Sequence, residues 1–521
     1  MPIENRGFEH VIAIRGWRIR SVFSYLIPTS GDHSVRVPVN SIIGLILVPT
    51  TFALASESPN ILVLIADDVG VADIGAYTEG PNGEPGSPPP TPSIDGLAAD
   101  GVLFREAWSA PVCTPTRAAL YTGRYGFRTS VQNVGDVLPL AETTWAELLT
   151  NAGYVSGLFG KWHLGRTGNV GGADAPRVSG GWDDFEGTLS GALSDYFSFT
   201  EVANGSSQSV SNYATTEQVD DALVWIANQT GPWTCTVAFN APHAPFHIPP
   251  QELHTFALGT GSTNTQRYRA AIQAMDSEIG RLLNELGAAL DNTVVVFIGD
   301  NGTPRQVIEA PYTTFKGTVY QGGVHVPMIV SAPFVSAPGR EVSTPVHVAD
   351  LFSTILAITE IDVEAALPDV TIDGASLLGT LETPGASIAR ETIYTEIVDA
   401  DPADGLYAIR DGRYKLLELG GEHELYDLEL DPLETSELIA DGLSASEQEA
   451  FDSLVAALNR LRGLEPCVAD LTGDGSLDFF DVSAFLTGFS LQDPVADFTG
   501  DGFFNFFDVS AFLQAFSAGC P

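Results

Sequence analysis

Basic residues are scarce in this chain of 521 residues, and lysine is almost missing. Twenty-four lysines and arginines stand against 66 acidic residues, and the only lysines are Lys161, Lys316 and Lys415. The net charge of -42 argues against binding to nucleic acid or to an anionic membrane surface and favours solubility. A long apolar run is missing as well: Ile42 to Leu54 is too short for a membrane span. Followed by the small-residue pattern Ala53 to Ala55, it reads instead as a secretory signal peptide. Export rather than anchoring is therefore expected, to the periplasm, the cell surface or the medium. Residues 1–55 are read as leader and signal, with a start expected near Val35. Cysteine is rare too. The four, Cys113, Cys235, Cys467 and Cys520, would then lie where disulfides persist.

What is present is material for a large core, at 44% hydrophobic composition. The runs Ile61–Ala66, Val155–Phe159, Thr236–Asn240, Thr293–Ile298 and Pro327–Val330 are short, rich in branched residues and bounded by turns. Helix-like segments, Thr143–Ala152 and Arg267–Leu286 among them, lie between the runs. Runs apolar throughout suit strands buried on both faces, so the expected fold is α/β: a large, mainly parallel sheet sandwiched by helices. Four runs end in polar clusters, ADDVG, GKWHLG, APHAP and GDNG. Sites in open α/β sheets form outside the carboxyl ends of the strands, so these clusters are expected to converge. A Pro/Gly loop, residues 80–92, is expected near the site mouth.

The expected catalytic domain spans residues 56–380. From about residue 381 short strands and turns replace the α/β alternation, and Ser444 to Glu447 opens a helix carried to about Arg462. Residues 381–463 thus read as a smaller antiparallel α+β subdomain. The tail, 467–521, holds an internal repeat with Asp497 matching Asp470. Oxygen side chains fall at loop positions 1, 3, 5, 9 and 12, with glycine at 6, which is how a calcium loop wraps its ion. They are Asp470, Thr472, Asp474, Asp478 and Asp481, then Asp497, Thr499, Asp501, Asn505 and Asp508. Loop into helix, twice, resembles a dockerin, the small all-α module that docks onto a cohesin receptor. Cys467 and Cys520 bracket it and are paired as a staple.

Cys113 raises the sharper question, because it lies in APVCTPTRAALYTGR. Thr114 can cap a helix beginning at Pro115, which puts Cys113 at a positive helix end with Arg117 one turn in. A disulfide with Cys235 is the competing reading. The stretch resembles the sulfatase signature C-x-P-x-R followed by T-G-R: Cys113, Pro115 and Arg117, then Thr122-Gly123-Arg124. The resemblance extends from about Pro59 to Glu437 and implies an alkaline phosphatase-like fold. It also implies that a formylglycine-generating enzyme converts Cys113 into formylglycine. Asp67, Asp68, Asp300 and Asn301 match the family's metal ligands, and four oxygen donors suit calcium more than magnesium. Lys161 and Lys316 match lysines that hold the sulfate group, while His163 and His243 match the acid/base pair. His247, His254, His325 and His347 receive no role, although His325 replaces the arginine of the family's GG-x-R-x-P element.

The implied activity is hydrolysis of a sulfate monoester, probed by three needs: cationic clamping, an activated nucleophile and an acid for the leaving alcohol. A secreted enzyme with a docking module suggests a sulfated polysaccharide as substrate, with a smaller sulfated molecule also open. Two other readings stay open: a phosphonate or phosphodiester hydrolase of the same superfamily, and a non-catalytic carbohydrate-binding surface protein.

Overall fold

The computed structural model describes residues 11–14, 17–20, 58–79, 83–399, 404–440, 442–464, 468–472 and 477–518. The first unit, up to Ser56, holds an antiparallel ladder of β1 (Val11–Ile14) and β2 (Trp17–Arg20). The expected signal peptide lies outside the described residues.

The second unit begins at Glu57. Its strands are β3 (Asn60–Ala66), β4 (Val102–Phe104), β5 (Ala107–Trp108), β6 (Val155–Lys161), β7 (Asp184–Thr188), β8 (Phe199–Ala203), β9 (Ser206–Val210), β10 (Trp233–Ala238), β11 (Thr293–Gly299), β12 (Met328–Ser331), β13 (Arg340–Val342) and β14 (Val346–His347). Four more, β15 (Ile393–Ile397), β16 (Leu406–Arg410), β17 (Tyr414–Leu419) and β18 (Glu422–Asp427), follow toward the C-terminus. Ten form one sheet in the order β13-β4-β12-β11-β3-β10-β6-β7-β8-β9. Its centre, β11-β3-β10-β6-β7, is parallel. On the flanks β12 runs against both β11 and β4, and β8 runs against β7 and β9. The sheet is therefore mixed, with the expected parallel strands at its centre and antiparallel pairings toward its flanks, where β13 also runs parallel to β4. The apolar run at β12 reports burial on both faces, and burial carries no information on strand direction.

Alternation along β3 divides the interior into two cores. Ile61, Val63 and Ile65 face one, packed with residues of the helices Cys113–Thr122, Trp145–Asn151 and Asp350–Ile358. Leu62, Leu64 and Ala66 face the other, packed with the helices Ala214–Ala227 and Asn264–Leu286. Each of these large side chains is worth about 1.5–3 kcal/mol when fully buried, so the central strands anchor the edge from which the site projects.

The strands β15 to β18 form an antiparallel sheet. One face packs Tyr394, Ile409, Leu416 and Leu425 against Leu454 and Leu458 of the helix Ala445–Leu461. The other packs Ile393, Ala408 and Leu417 against Trp108, Val319 and Val324. That helix opens with the expected capping box: Ser444 accepts from the Glu447 amide and the Glu447 carboxylate accepts from the Ser444 amide.

Two helices, Phe479–Leu491 and Phe506–Ala518, form the tail around Ala469, Phe485, Ala496 and Phe512. Phe485 and Phe512 hold equivalent places in the repeat and stack with centroids 4.1 Å apart. Cys467 and Cys520, and hence their expected disulfide, lie outside the described residues, as does Asp474.

Candidate active site

Strands β11, β3, β10 and β6 are parallel neighbours, so the polar clusters that follow them emerge side by side. The turn after β3 is tied on both sides. The Asp67 amide donates to the Ala241 carbonyl at 3.1 Å, and the Asp300 amide donates to the Ala66 carbonyl at 3.0 Å. Asp68 (φ 72°) and His163 (φ 61°) are both left-handed, a conformation that costs a non-glycine residue of the order of 1 kcal/mol or more and collects at functional sites. Lys161 closes β6 directly after Gly160, whose φ is 105°. A side chain on the paired Gly187 would meet the Gly160 carbonyl at 1.9 Å, so both glycines are required for the approach that delivers Lys161.

The helix bearing Cys113 begins at Cys113 itself, two residues before the expected Pro115, and its N-cap is Val112 in extended conformation. Thr114 does not cap it. Its hydroxyl lies 3.4 and 3.5 Å from the two ring nitrogens of His163. Cys113 keeps the expected place at the positive helix end, with Sγ 3.2 Å from His163 Nδ1. Cys113 and Cys235 are both free, buried thiols, so the disulfide reading fails. Burial pushes the Cys113 thiol above its usual pKa despite the nearby Lys161 and Lys316, which disfavours a thiolate nucleophile.

Each cation is braced by a carboxylate. Lys161 Nζ lies 2.7 Å from Asp67 Oδ2, both fully buried. Lys316 Nζ lies 2.5 Å from Asp68 Oδ1. Arg117 donates to Asp300 Oδ2 and, at 2.7 Å, to the Lys161 carbonyl. Burial raises the Asp67 pKa to about 6, with Lys161 offsetting part of that rise. At Asp68 burial acts in the same sense, but Lys316, His243 and Lys161 outweigh it and hold the carboxyl below its ordinary value. His163 is kept neutral, first by burial and then by the positive charges of Lys161, Arg117 and Lys316. His243 Nδ1 lies 2.7 Å from the Ala244 carbonyl, and its Nε2 lies 3.8 Å from Asp68 Oδ2.

These residues fit a hard cation. Asp67 Oδ1 and Asn301 Oδ1 are buried acceptors without a hydrogen-bond partner among the described residues, which is costly in a polar interior unless a further ligand is meant to meet them. Carboxylate oxygens of Asp67 and Asp300 and the Cys113 sulfur lie within 4.8 Å of one another. Asp68 donates its amide to Asp300 Oδ1 at 3.0 Å, and Asn301 Nδ2 donates to Asp68 Oδ1 at 2.8 Å. All four expected ligands are thus brought together. A cleft of about 250 Å³ lined by His163, Arg166, Ser190 and Gly191 opens beside them. The described part of the Pro/Gly loop borders a separate cavity of about 150 Å³ with Gly70, Tyr268 and Thr303.

Sequence reasoning missed the residues that hold this arrangement. The Tyr196 hydroxyl donates to the Asn240 and His243 carbonyls and fixes the loop that presents His243. Tyr268 donates to the Asp68 carbonyl and to Asp73, which also accepts from the Thr303 hydroxyl. Neither tyrosine sits in a motif, so no local signal points to it. His325 is buried, with Nε2 2.6 Å from the Arg105 carbonyl.

The tail loops repeat their contacts. In the first, the Thr472 amide and hydroxyl donate to Asp481 Oδ1 at 3.0 Å, and the Asp478 amide donates to Asp481 Oδ2. In the second, Thr499 and Asn505 do the same to Asp508. Asp470 and Asp497 accept from the two threonines, whereas Asp501 accepts from the Phe503 amide of its own turn.

The family described as Sulfatase matches residues 59–361. The chain belongs to the sulfatase family. A second match, to the C-terminal part of N-sulphoglucosamine sulphohydrolase, covers residues 313–462. The sulfatase is 30% identical over 426 residues to rat N-acetylgalactosamine-6-sulfatase, covering 74% of this chain and 75% of that protein. It is 29% identical to human arylsulfatase A, covering 77% and 87%. The crystal structure of Ps i-CgsB, at 26% identity, superposes with a TM-score of 0.66 over 77% of this chain and 92% of that one. The protein is accordingly a sulfuric ester hydrolase with a sulfatase-type α/β fold and a C-terminal antiparallel sheet. Sulfatases generally use a formylglycine and a metal ion, and the acidic residues gathered here could bind one. Among the described residues, no helix is long and apolar enough to cross a membrane.

Proposed function

We propose that this sulfatase hydrolyses a sulfate monoester on a sulfated carbohydrate, using a formylglycine made from Cys113 and a calcium ion held by Asp67, Asp68, Asp300 and Asn301. The observation that carries the reading is the meeting of Cys113, at its helix start, with His163 at 3.2 Å and with carboxylates of Asp67 and Asp300. A carbohydrate is supported by the relative named N-acetylgalactosamine-6-sulfatase and by the structure of Ps i-CgsB in complex with k-i-k-neocarrahexaose. Oxygen donors alone, without thiolate, favour calcium.

Once formed at residue 113, the formylglycine would supply a hydrated carbonyl as the nucleophile toward sulfur, and a bound calcium would supply positive charge for the sulfate oxygens. Arg117, Lys161 and Lys316 add three positive groups, each held in place by a carboxylate before substrate arrives, so little reorganisation is needed in the transition state. Neutral His163 accepts a proton at residue 113. The Nδ1–H of His243 donates to the Ala244 carbonyl, so it is the imidazolium form, with Nε2–H beside Asp68 Oδ2, that has a proton to hand to the departing alcohol oxygen.

The same proposal includes export through the N-terminal signal and maturation by a formylglycine-generating enzyme. It divides the chain into a catalytic domain at 56–380, a subdomain at 381–463 and a dockerin-like tail at 467–521. The tail would bind calcium in both loops and dock onto a cohesin-like or cell-surface partner. Peptide mass spectrometry on the secreted protein tests the centre of the reading. The tryptic fragment Glu106–Arg117, EAWSAPVCTPTR, should be lightened by exchange of the thiol for an aldehyde. An unmodified cysteine in actively exported protein would overturn it.

A further inference from the structure

Two of the three lysines lie at the site, and the third, Lys415, is buried elsewhere. Its ammonium on β17 lies 2.6 Å from Glu434 Oε1, with both side chains fully buried, and 4.7 Å from the centroid of the Trp108 ring. The second carboxylate oxygen of Glu434 accepts the Gln321 amide at 2.5 Å. Gln321 opens the short helix Gln321–Val324, and its side-chain oxygen accepts Trp108 Nε1–H at 2.8 Å. Glu434 itself has φ 56°, so the backbone bears a strained conformation to present this carboxylate.

The segment held by Glu434 touches both halves of the site. Its Gly323 carbonyl accepts the Gly302 amide at 2.9 Å, next to Asn301, and its Val324 carbonyl accepts the Ser109 amide on the approach to Cys113. Upstream, Lys316 and Gly317 donate their amides to the Thr303 and Pro111 carbonyls. There is no slack: a Cβ at Gly302 would meet the Gly322 carbonyl at 2.0 Å.

We propose that Lys415 and Glu434 are positioning residues for the sulfatase site, the carboxylate fixing the Gln321 amide and with it the segment that carries Lys316 and braces Gly302. Lys415 pairs with that carboxylate and orients it in a dry interior, where an unpaired carboxylate would be strongly disfavoured. The C-terminal sheet thereby contributes to catalysis without touching substrate. This inference rests on the role given to Lys316 above.

The test compares two double variants of the full chain with aryl sulfate as substrate. Lys415→Met with Glu434→Gln removes both charges but keeps an oxygen for the Gln321 amide; Lys415→Met with Glu434→Leu removes the oxygen as well. The first should keep kcat within about threefold of the parent, and the second should lose about tenfold or more in kcat, with KM changed less and equal formylglycine content. Equal kcat in two folded double variants would overturn the positioning role. If the second fails to fold, Gln321→Pro replaces it, since proline suits the first helical position and lacks the amide. That variant should show the same kcat loss, and a parental kcat would overturn the proposal. A matured parent without turnover on any aryl or carbohydrate sulfate would sink the functional reading first, and this inference with it.

Discussion

Arg117 grips one oxygen of Asp300 with two nitrogens, Nε at 3.2 Å and Nη2 at 2.8 Å from Oδ2, and both side chains are wholly buried. A third nitrogen, Nη1, reaches the Lys161 carbonyl. One planar group therefore links the helix of Cys113 to the ends of β11 and β6. Lysine in its place keeps the charge but cannot hold this fork. Arg117→Lys is expected to lower kcat/KM on an aryl sulfate by about 100-fold. Arg117→Met, which strands a buried carboxylate, should in addition cost about 3–5 kcal/mol in urea unfolding. Parental turnover in Arg117→Lys would show that the fork is dispensable.

The side-chain oxygens of Asp67 and Asn301 that find no partner among the described residues lead to a metal prediction. Chelation should abolish turnover, and added calcium should restore it. Asn301→Leu keeps the volume and removes the oxygen, so the calcium concentration giving half-maximal recovery should rise by about tenfold or more. Reading recovery from turnover separates this ion from any held by the tail. An unchanged calcium requirement would take Asn301 out of the ligand set.

Gly191 sits against the ring of His163. A Cβ there would lie 2.3 Å from both Cε1 and Nε2, far inside van der Waals contact, and the ring would have to leave Cys113. Gly191→Ala is expected to lower kcat by about 100-fold, the lower end of what a positioned acid or base contributes. The far-ultraviolet spectrum and Tm should stay close to the parent. Full activity in this variant would mean that His163 does not work from the position it occupies here.

How far the chain could be read depended on whether a feature was local. The central strands were legible because Ile61–Ala66 and Thr293–Ile298 are apolar without interruption, and their polar ends do meet, Asp68 against Asp300 and Asn301. Lys161 and Lys316 stood out against a surface built with arginine. The direction of β12 was not legible, since PMIV is equally apolar in either sense. Nor was β9, whose Ser206–Val210 is mostly exposed and polar and pairs only because the hairpin with β8 brings it back. The start of the Cys113 helix was misplaced because Val112 caps through backbone conformation alone, while the threonine beside it has the right chemistry for a cap and uses its hydroxyl elsewhere. Lys415 was visible as a rare residue, but its function depends on Gln321 and Trp108, remote in sequence and joined to it only by the packing of two sheets.

A cluster with no counterpart in any motif gives a pH prediction. Glu186 on β7, Glu201 on β8 and Asp221 on the helix Ala214–Ala227 bring carboxylate oxygens within 4.8 Å of one another. Burial first, then the like charges of Glu201, Glu186 and Glu217, push the Asp221 pKa from 3.8 up to about 8. Below the lower value the folded and unfolded chains both hold the proton. Between the two values only the folded chain does, so stability falls as pH rises through this window and stays reduced above it. Asn at this position mimics the protonated acid at every pH. Asp221→Asn should therefore be more stable than the parent at pH 8.5, by about 1–2 kcal/mol once solvent screening of this partly exposed group is allowed for, and no more stable at pH 4. Urea unfolding at the two pH values measures the difference, and a gain of equal size at both would mean that Asp221 acts through packing and not through its charge.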